Sequence, residues 1–346
     1  MIETTGLAVT RPGGSPERWA FPRRDPLPDD VVVRVTHCGV CATDLHVLRG
    51  TDPAAFPVVA GHEMTGVVSD VGSAVGDLRP GDRVAVGNIV GSCGECPACL
   101  ADRENDCARF PTLTYGGADP HLGGTTRGGF SATIVVDRRF TYALPDALDP
   151  AASAPLLCAG VTTFAPLRRF GAGPGTTVGV VGIGGLGHLA VRYARAMGAR
   201  VVAFTTSAAK SDAARALGAH DVVLTRDAAA MAAAFRSVDL LLDTTGVALD
   251  LAPYLNTLAV DGTYVLLGIP TEPLRIDPMS LVVGEKRIAG SGSGGVAVTR
   301  EMLDFSAAHA ITADVEVLPA DRLDEALDRL ARGDVRFRFV LDLSTL

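Results

Sequence analysis

The densest chemistry lies at Gly61-His62-Glu63, read with His37-Cys38-Gly39-Val40-Cys41-Ala42-Thr43-Asp44-Leu45-His46 before it and Leu157-Cys158-Ala159-Gly160 after it. Cys41, His62 and Cys158 form a two-thiolate, one-imidazole set. Such a set suits a catalytic zinc whose fourth position stays open for substrate. Two carboxylates, Asp44 and Glu63, stand beside these ligands in the chain, and so does a hydroxyl–imidazole pair, Thr43 and His46.

A second group of thiols has a different character. Cys93-Gly94-Glu95-Cys96-Pro97-Ala98-Cys99 is followed by Cys107, within a lobe spanning about 91–108. Four thiolates complete a tetrahedral zinc and leave no position for substrate, so this lobe reads as a structural site. A redox Cys-x-x-Cys accounts for only two of the four. Four unrelated thiols would leave the loop with no apolar pattern to hold it. The seven cysteines are an odd number without a secretion signal, which fits metal binding better than a disulfide framework. Cys38 is left over and reads as an inert buried thiol.

The nucleotide signal is Gly182-Ile183-Gly184-Gly185-Leu186-Gly187. It follows the short buried-strand pattern Thr177–Val181. Leu186, Leu189, Ala190, Tyr193, Ala194 and Met197 then recur at helical spacing up to Gly198, before a second strand, Arg200–Phe204. That strand–turn–helix–strand context makes the glycine pattern a dinucleotide fingerprint. Gly182 permits the tight turn, Gly184 lets the backbone approach a pyrophosphate, and Gly187 lets the helix pack on the strand. The helix N-terminus offers free N–H groups to the phosphates. An NAD-preferring chain usually places an acid at the end of the second strand. Here that place reads Thr205-Thr206-Ser207-Ala208-Ala209-Lys210. Three hydroxyls and a lysine suit a 2′-phosphate, which a carboxylate would repel, so the reading is NADP(H).

These residues need a frame. The chain has 346 residues, of which 47% are apolar and 20% charged, enough for two domains with a sizeable core. A net charge of −8 disfavours nucleic acid or anionic membrane as a partner. The start lacks the pattern of a signal peptide and no apolar run is long enough to cross a bilayer, so a cytoplasmic location is expected. Residues 1–30 read as mostly irregular, with Trp19 and Phe21 in packing roles. Short strands with Gly and Pro punctuation, at 31–35, 67–68, 81–86 and 128–136, predict a compact β-rich domain. Pro145 to Pro155 reads as hinge-like. Strands at 221–224, 238–243, 263–268 and 287–290 alternate with helical segments, the pattern of a parallel sheet. Thr299 is expected to cap a helix over 300–310, and Leu323, Ala326, Leu327 and Leu330 mark one face of another. Arg338–Asp342 reads as a final strand rejoining the first domain.

Taken together, Cys38-Gly39-Val40-Cys41 with Thr43-Asp44-Leu45-His46, Gly61-His62-Glu63, the four-cysteine lobe, Ala154–Thr162, Gly182–His188, Glu301–Phe305 and Asp334–Phe339 resemble the zinc-dependent medium-chain alcohol dehydrogenases, specifically the cinnamyl alcohol dehydrogenase-like branch. The resemblance runs almost end to end. It implies an α/β chain with a GroES-like β-rich catalytic domain at 1–158 and 292–346, and a Rossmann-type doubly wound parallel sheet domain at 159–291. Two cysteines and one histidine are the known ligand set of alcohol dehydrogenases, so Cys41, His62 and Cys158 are recognised by likeness as well as by chemistry. The resemblance gives Asp44 the task of orienting His62 and places Glu63 behind the metal as a transient ligand. It also implies a proton path from Thr43, by way of the nucleotide ribose, to His46. It implies two zinc ions per chain, NADP(H), a small alcohol or aldehyde substrate and a homodimer.

Two stretches depart from the branch. Leu48-Arg49-Gly50-Thr51-Asp52-Pro53 lacks its Trp-Gly pair, and Ser293 in Ser291-Gly292-Ser293-Gly294-Gly295 replaces an aliphatic residue. Both segments can border the substrate pocket, which implies a more polar or differently shaped one. A reductase of C=N or conjugated C=C bonds is the alternative enzyme reading. A non-catalytic nucleotide-binding or redox-sensing protein is the distant one.

Overall fold

The computed structural model describes residues 1–346. Its contacts gather the chain into two units, Met1–Cys158 with Gly294–Leu346, and Ala159–Ser293.

The first unit is built on one long strand, Asp30–Val40. Its run Val31-Val32-Val33 is buried, because the strand has neighbours along both edges. Met64–Val71 lies antiparallel along one edge. Thr133–Asp137 and Arg338–Asp342 share the other edge end to end, both antiparallel to it. The sheet continues from Arg338–Asp342 to Val315–Pro319 on one side and from Met64–Val71 through Arg83–Val86 to Thr141–Ala143 on the other. Register does the positioning. Cys38 pairs with Met64, and Phe339 pairs with Val40. The residues just beyond these pairs are Cys41, His62-Glu63 and Arg338, so three strand ends converge on one spot. The final strand thus joins the sheet of the first unit.

Residues 1–30 are more ordered than their composition predicts. Ile2–Ala8 and Glu17–Arg23 form an antiparallel ribbon. Trp19 and Phe21 stack at 5.4 Å, and Arg127 lies over both rings. Arg23 is buried and donates to the carbonyls of Thr133, Arg127 and Gly128 and to the Ser131 hydroxyl. Arginines and Pro22 break the apolar alternation that marks a strand, yet those arginines hold the ribbon down. The hinge-like stretch is also structured: Asp149 caps the turn Pro150–Ser153, and a tighter turn, Ala154–Leu157, delivers Cys158. The expected helix at 300–310 begins earlier, as Val296–Ala308, so Thr299 sits inside it rather than at its cap.

The second unit is a six-stranded parallel sheet in the order Asp221–Leu224, Arg200–Thr205, Thr177–Val181, Val238–Asp243, Leu258–Leu266, Arg287–Gly290. This is the doubly wound order, with its reversal next to Thr177–Val181. Phe204, Leu241, Tyr254, Leu255, Leu258 and Tyr264 fill one face of its core. No single helix in the chain is long and apolar enough to cross a membrane.

Candidate metal centres and nucleotide turn

Cys41 ends the long strand and begins the helix Ala42–Leu48. Asp44, fully buried at the third helical position, has three jobs. One oxygen accepts the Cys41 backbone N–H at 2.8 Å. The other accepts the Gly61 N–H at 3.0 Å and meets His62 Nδ1 at 3.1 Å. Asp44 is therefore both the return arm of the capping box at Cys41 and the group that orients His62. With Nδ1 donating to the carboxylate, Nε2 is left to face a metal.

The donor atoms of Cys41, His62, Glu63 and Cys158 all lie within 4.8 Å of one another. The Cys158 hydrogen bond pulls the Cys41 thiol well below its ordinary value, against burial, and Cys158 rises in turn. Burial works to lower His62, but the Asp44 charge and hydrogen bond outweigh it and the imidazole rises well above its usual range. Two thiols, an oriented imidazole and a buried carboxylate form a donor set that a divalent cation fits, with binding releasing the protons.

Glu63 is fully buried. Burial pushes its carboxyl up to about 7, with Arg338 opposing. One oxygen pairs with Arg338 and stands 3.9 Å from His62 Nε2. The other has no protein partner. Arg338 is 5% exposed and pairs with Glu63. Its place near the metal set escapes the sequence reading, because only the pairing of the last strand with the long central one brings it there. Tyr115 is a second addition. Its ring lies 5.7 Å from that of His62, and it comes from a glycine-rich loop with no pattern to announce it.

Thr43 and His46 share a face of the same short helix, and both are exposed. Thr43 Oγ1 is 3.8 Å from Cys41 Sγ. Arg49 is committed elsewhere: it bridges Asp324 and Asp328 at 2.8 and 2.7 Å.

The four sulfurs of Cys93, Cys96, Cys99 and Cys107 also gather within 4.8 Å. Backbone N–H groups point at them. Cys93 N–H donates to Cys107 at 3.5 Å, and Cys99 and Ala108 donate to Cys96 at 3.5 and 3.4 Å. The Ala108 and Cys99 donors hold the Cys96 thiol down at about 6. Donors aimed at sulfur favour thiolates, the form that binds zinc.

In the second unit, Gly182 takes φ +84, open to glycine at little cost, and a β-carbon on Gly187 would lie 1.9 Å from the Gly182 carbonyl. Gly184, Gly185 and Leu186 complete the turn before the helix Gly187–Ala196. A β-carbon on Gly184 would meet nothing within 4 Å, leaving open space where a phosphate can approach. Thr206 and Lys210 are exposed and Ser207 half-buried at the end of the second strand. Thr205 differs: it is buried, and its hydroxyl accepts the Ser207 N–H at 3.2 Å, so it shapes the turn from within.

Comparison with known proteins agrees with this picture. Residues 27–146 match the alcohol dehydrogenase GroES-like domain family, and residues 185–308 match the zinc-binding dehydrogenase family. The chain is 47% identical over 327 residues to the aldehyde reductase YahK of Escherichia coli (strain K12), covering 94% of this chain and 93% of that protein. A cinnamyl alcohol dehydrogenase structure from Sorghum bicolor is 40% identical with TM-score 0.94, covering 99% of this chain and 98% of that one. The Helicobacter pylori CAD structure, complexed with NADP(H), is 30% identical with TM-score 0.90, covering 99% of both chains.

Proposed function

The chain belongs to the zinc-dependent medium-chain alcohol dehydrogenases, in their cinnamyl alcohol dehydrogenase-like branch, and from that premise we propose how its residues carry out reversible hydride transfer between NADP(H) and an alcohol or aldehyde. As a member it is an oxidoreductase acting on CH–OH groups. The observation that carries the residue assignment is the convergence of Cys41, His62 and Cys158 with Asp44 behind the imidazole.

Cys41, His62 and Cys158 hold the catalytic zinc, with Glu63 as a nearby exchange ligand. A zinc held there would supply Lewis-acid polarisation of the substrate oxygen, and NADPH would supply the hydride in the reducing direction. Asp44 keeps His62 in one tautomer and one orientation. Arg338 balances the buried charge of Glu63 and holds it near His62. Thr43 hydrogen-bonds the reacting oxygen, and His46, on the same helix face, exchanges the proton with solvent. The closed lobe of Cys93, Cys96, Cys99 and Cys107 holds a second, structural zinc. Gly182 to Gly187 receive the pyrophosphate at the helix N-terminus. Thr206, Ser207 and Lys210 bind the 2′-phosphate, with Thr205 setting their turn. The enzyme works as a cytoplasmic homodimer. The missing Trp-Gly pair, and Ser293 at the branch's aliphatic position, make its substrate pocket more polar or differently shaped than the branch's.

The test is direct. The purified enzyme is mixed with NADPH or NADH and a panel of aromatic and aliphatic aldehydes, and loss of reduced-nicotinamide absorbance is followed. Fast oxidation of NADPH and slow oxidation of NADH is the expected result. No turnover of any aldehyde by a zinc-replete, NADPH-binding preparation would contradict the carbonyl reading.

A further inference from the structure

The helix Val296–Ala308 starts without a cap of its own. Its N-cap residue is Gly295, which has no side chain to accept a hydrogen bond. The first N–H groups of a helix need acceptors from outside it. Val296 N–H finds one in Glu104 Oε2 at 2.8 Å, on a residue 192 positions earlier in the chain. Glu104 begins the short turn Glu104–Asp106, between Cys99 and Cys107 of the four-cysteine lobe. The residue is only 9% exposed. The contact also explains the glycine. A β-carbon on Gly295 would lie 2.1 Å from the Asp102 carbonyl oxygen and 2.6 Å from Glu104 Oε2. A local Ser, Thr, Asp or Asn cap is thus excluded by the close approach of the lobe, and the lobe supplies the carboxylate instead.

The place is as telling as the bond. Gly294 is where the chain returns to the first unit, and Cys158 is where it leaves. A small cavity of about 10 Å³ is lined by Glu104, Gly294, Val296, Thr299 and Leu157, among others. Residues next to both crossings therefore border the pocket that holds the Glu104 carboxylate. Thr299 ties the first turn back locally, its hydroxyl donating to the Gly295 carbonyl at 2.8 Å.

We propose that Glu104 is the positioning residue through which the four-cysteine lobe anchors the chain at its return point. Zinc in the lobe fixes the Cys93–Cys107 loop. The fixed loop holds a negative charge against the start of the helix, where both the free N–H and the helix dipole favour it. Loss of the metal releases the carboxylate and lets the first turn, Val296–Thr299, open. The inference rests on the reading of the lobe as a closed zinc site.

Hydrogen exchange read by mass spectrometry on the zinc-loaded full chain tests it. In Glu104→Ala, exchange of the Val296–Thr299 amides rises by roughly tenfold, with the zinc content unchanged. Glu104→Gln, whose side-chain carbonyl still accepts, recovers part of the protection. In Cys96→Ser, the lobe zinc is lost and the same amides exchange faster although Glu104 is present. If that variant does not fold, a chelator time course on the wild-type enzyme replaces it, and zinc release and exchange at Val296 rise together. Wild-type exchange in Glu104→Ala overturns the proposal, and so does an undisturbed helix start after zinc has left the lobe. A wild-type lobe that never holds zinc would instead defeat the structural-zinc reading, while the Glu104→Ala result would still judge the cap.

Discussion

The two cysteine clusters solve the same problem, holding a divalent cation, from opposite starting points. The lobe takes its four sulfurs from one loop, Cys93 to Cys107, and stabilises them with backbone N–H groups. The other set takes Cys41, His62 and Cys158 from three separate segments and surrounds them with buried charges: Asp44, Glu63 and Arg338. A closed tetrahedral site finishes its own coordination, so a loop suffices to make it. A site that keeps one position open cannot rely on the metal to complete its geometry. Its ligands must be oriented by the protein, and that requires a sheet whose register brings strand ends together and a second layer of fixed carboxylates.

That contrast can be broken in graded steps. The largest effect is expected for Cys158→Ser, which removes a ligand that the open set cannot spare. Aldehyde reduction should fall by about 10³-fold or more, the size of effect expected when a catalytic group is lost outright. NADPH binding should persist, and the lobe should keep its zinc. Arg338→Leu comes next, because it strips the fully buried Glu63 carboxyl of its partner. Breaking a buried pair this way costs about 3–5 kcal/mol, to be read from denaturant unfolding at fixed zinc concentration. Asp44→Asn keeps the volume but loses the charge behind His62. Zinc at the catalytic set should bind about 10–100-fold more weakly, while lobe zinc is unaffected, in a competition titration with a chromogenic chelator. The smallest effect belongs to the nucleotide turn. Lys210→Ala should raise the KM for NADPH by roughly tenfold, the loss of one charge-assisted phosphate contact, and leave the KM for NADH unchanged.

The same contrast explains what could be read from the sequence. Cys-x-x-Cys-x-x-Cys with a fourth thiol nearby is a local pattern, and the glycine turn is framed by its own strand and helix, so both are legible from spacing. Cys41, His62 and Cys158 are legible as residue types and by family likeness. Nothing local says that Arg338 joins them, since its proximity depends on Phe339 pairing with Val40 across the sheet. Glu104 is hidden for the same reason: its partner lies 192 residues away. The ribbon of residues 2–23 leaves no local pattern because it is held by arginine contacts to carbonyls and rings rather than by alternating apolar residues. The early start of the helix at Val296 has no local signal because its cap is supplied from outside the local sequence.

Anomalous diffraction at the zinc edge from crystals of the purified enzyme would show both metals and their ligands at once. Two peaks per chain are expected, one enclosed by Cys93, Cys96, Cys99 and Cys107, the other bound by Cys41, His62 and Cys158 with a position left for a small oxygen ligand. A single peak in the lobe, in an enzyme that still reduces aldehydes at full rate with NADPH, would contradict that expectation.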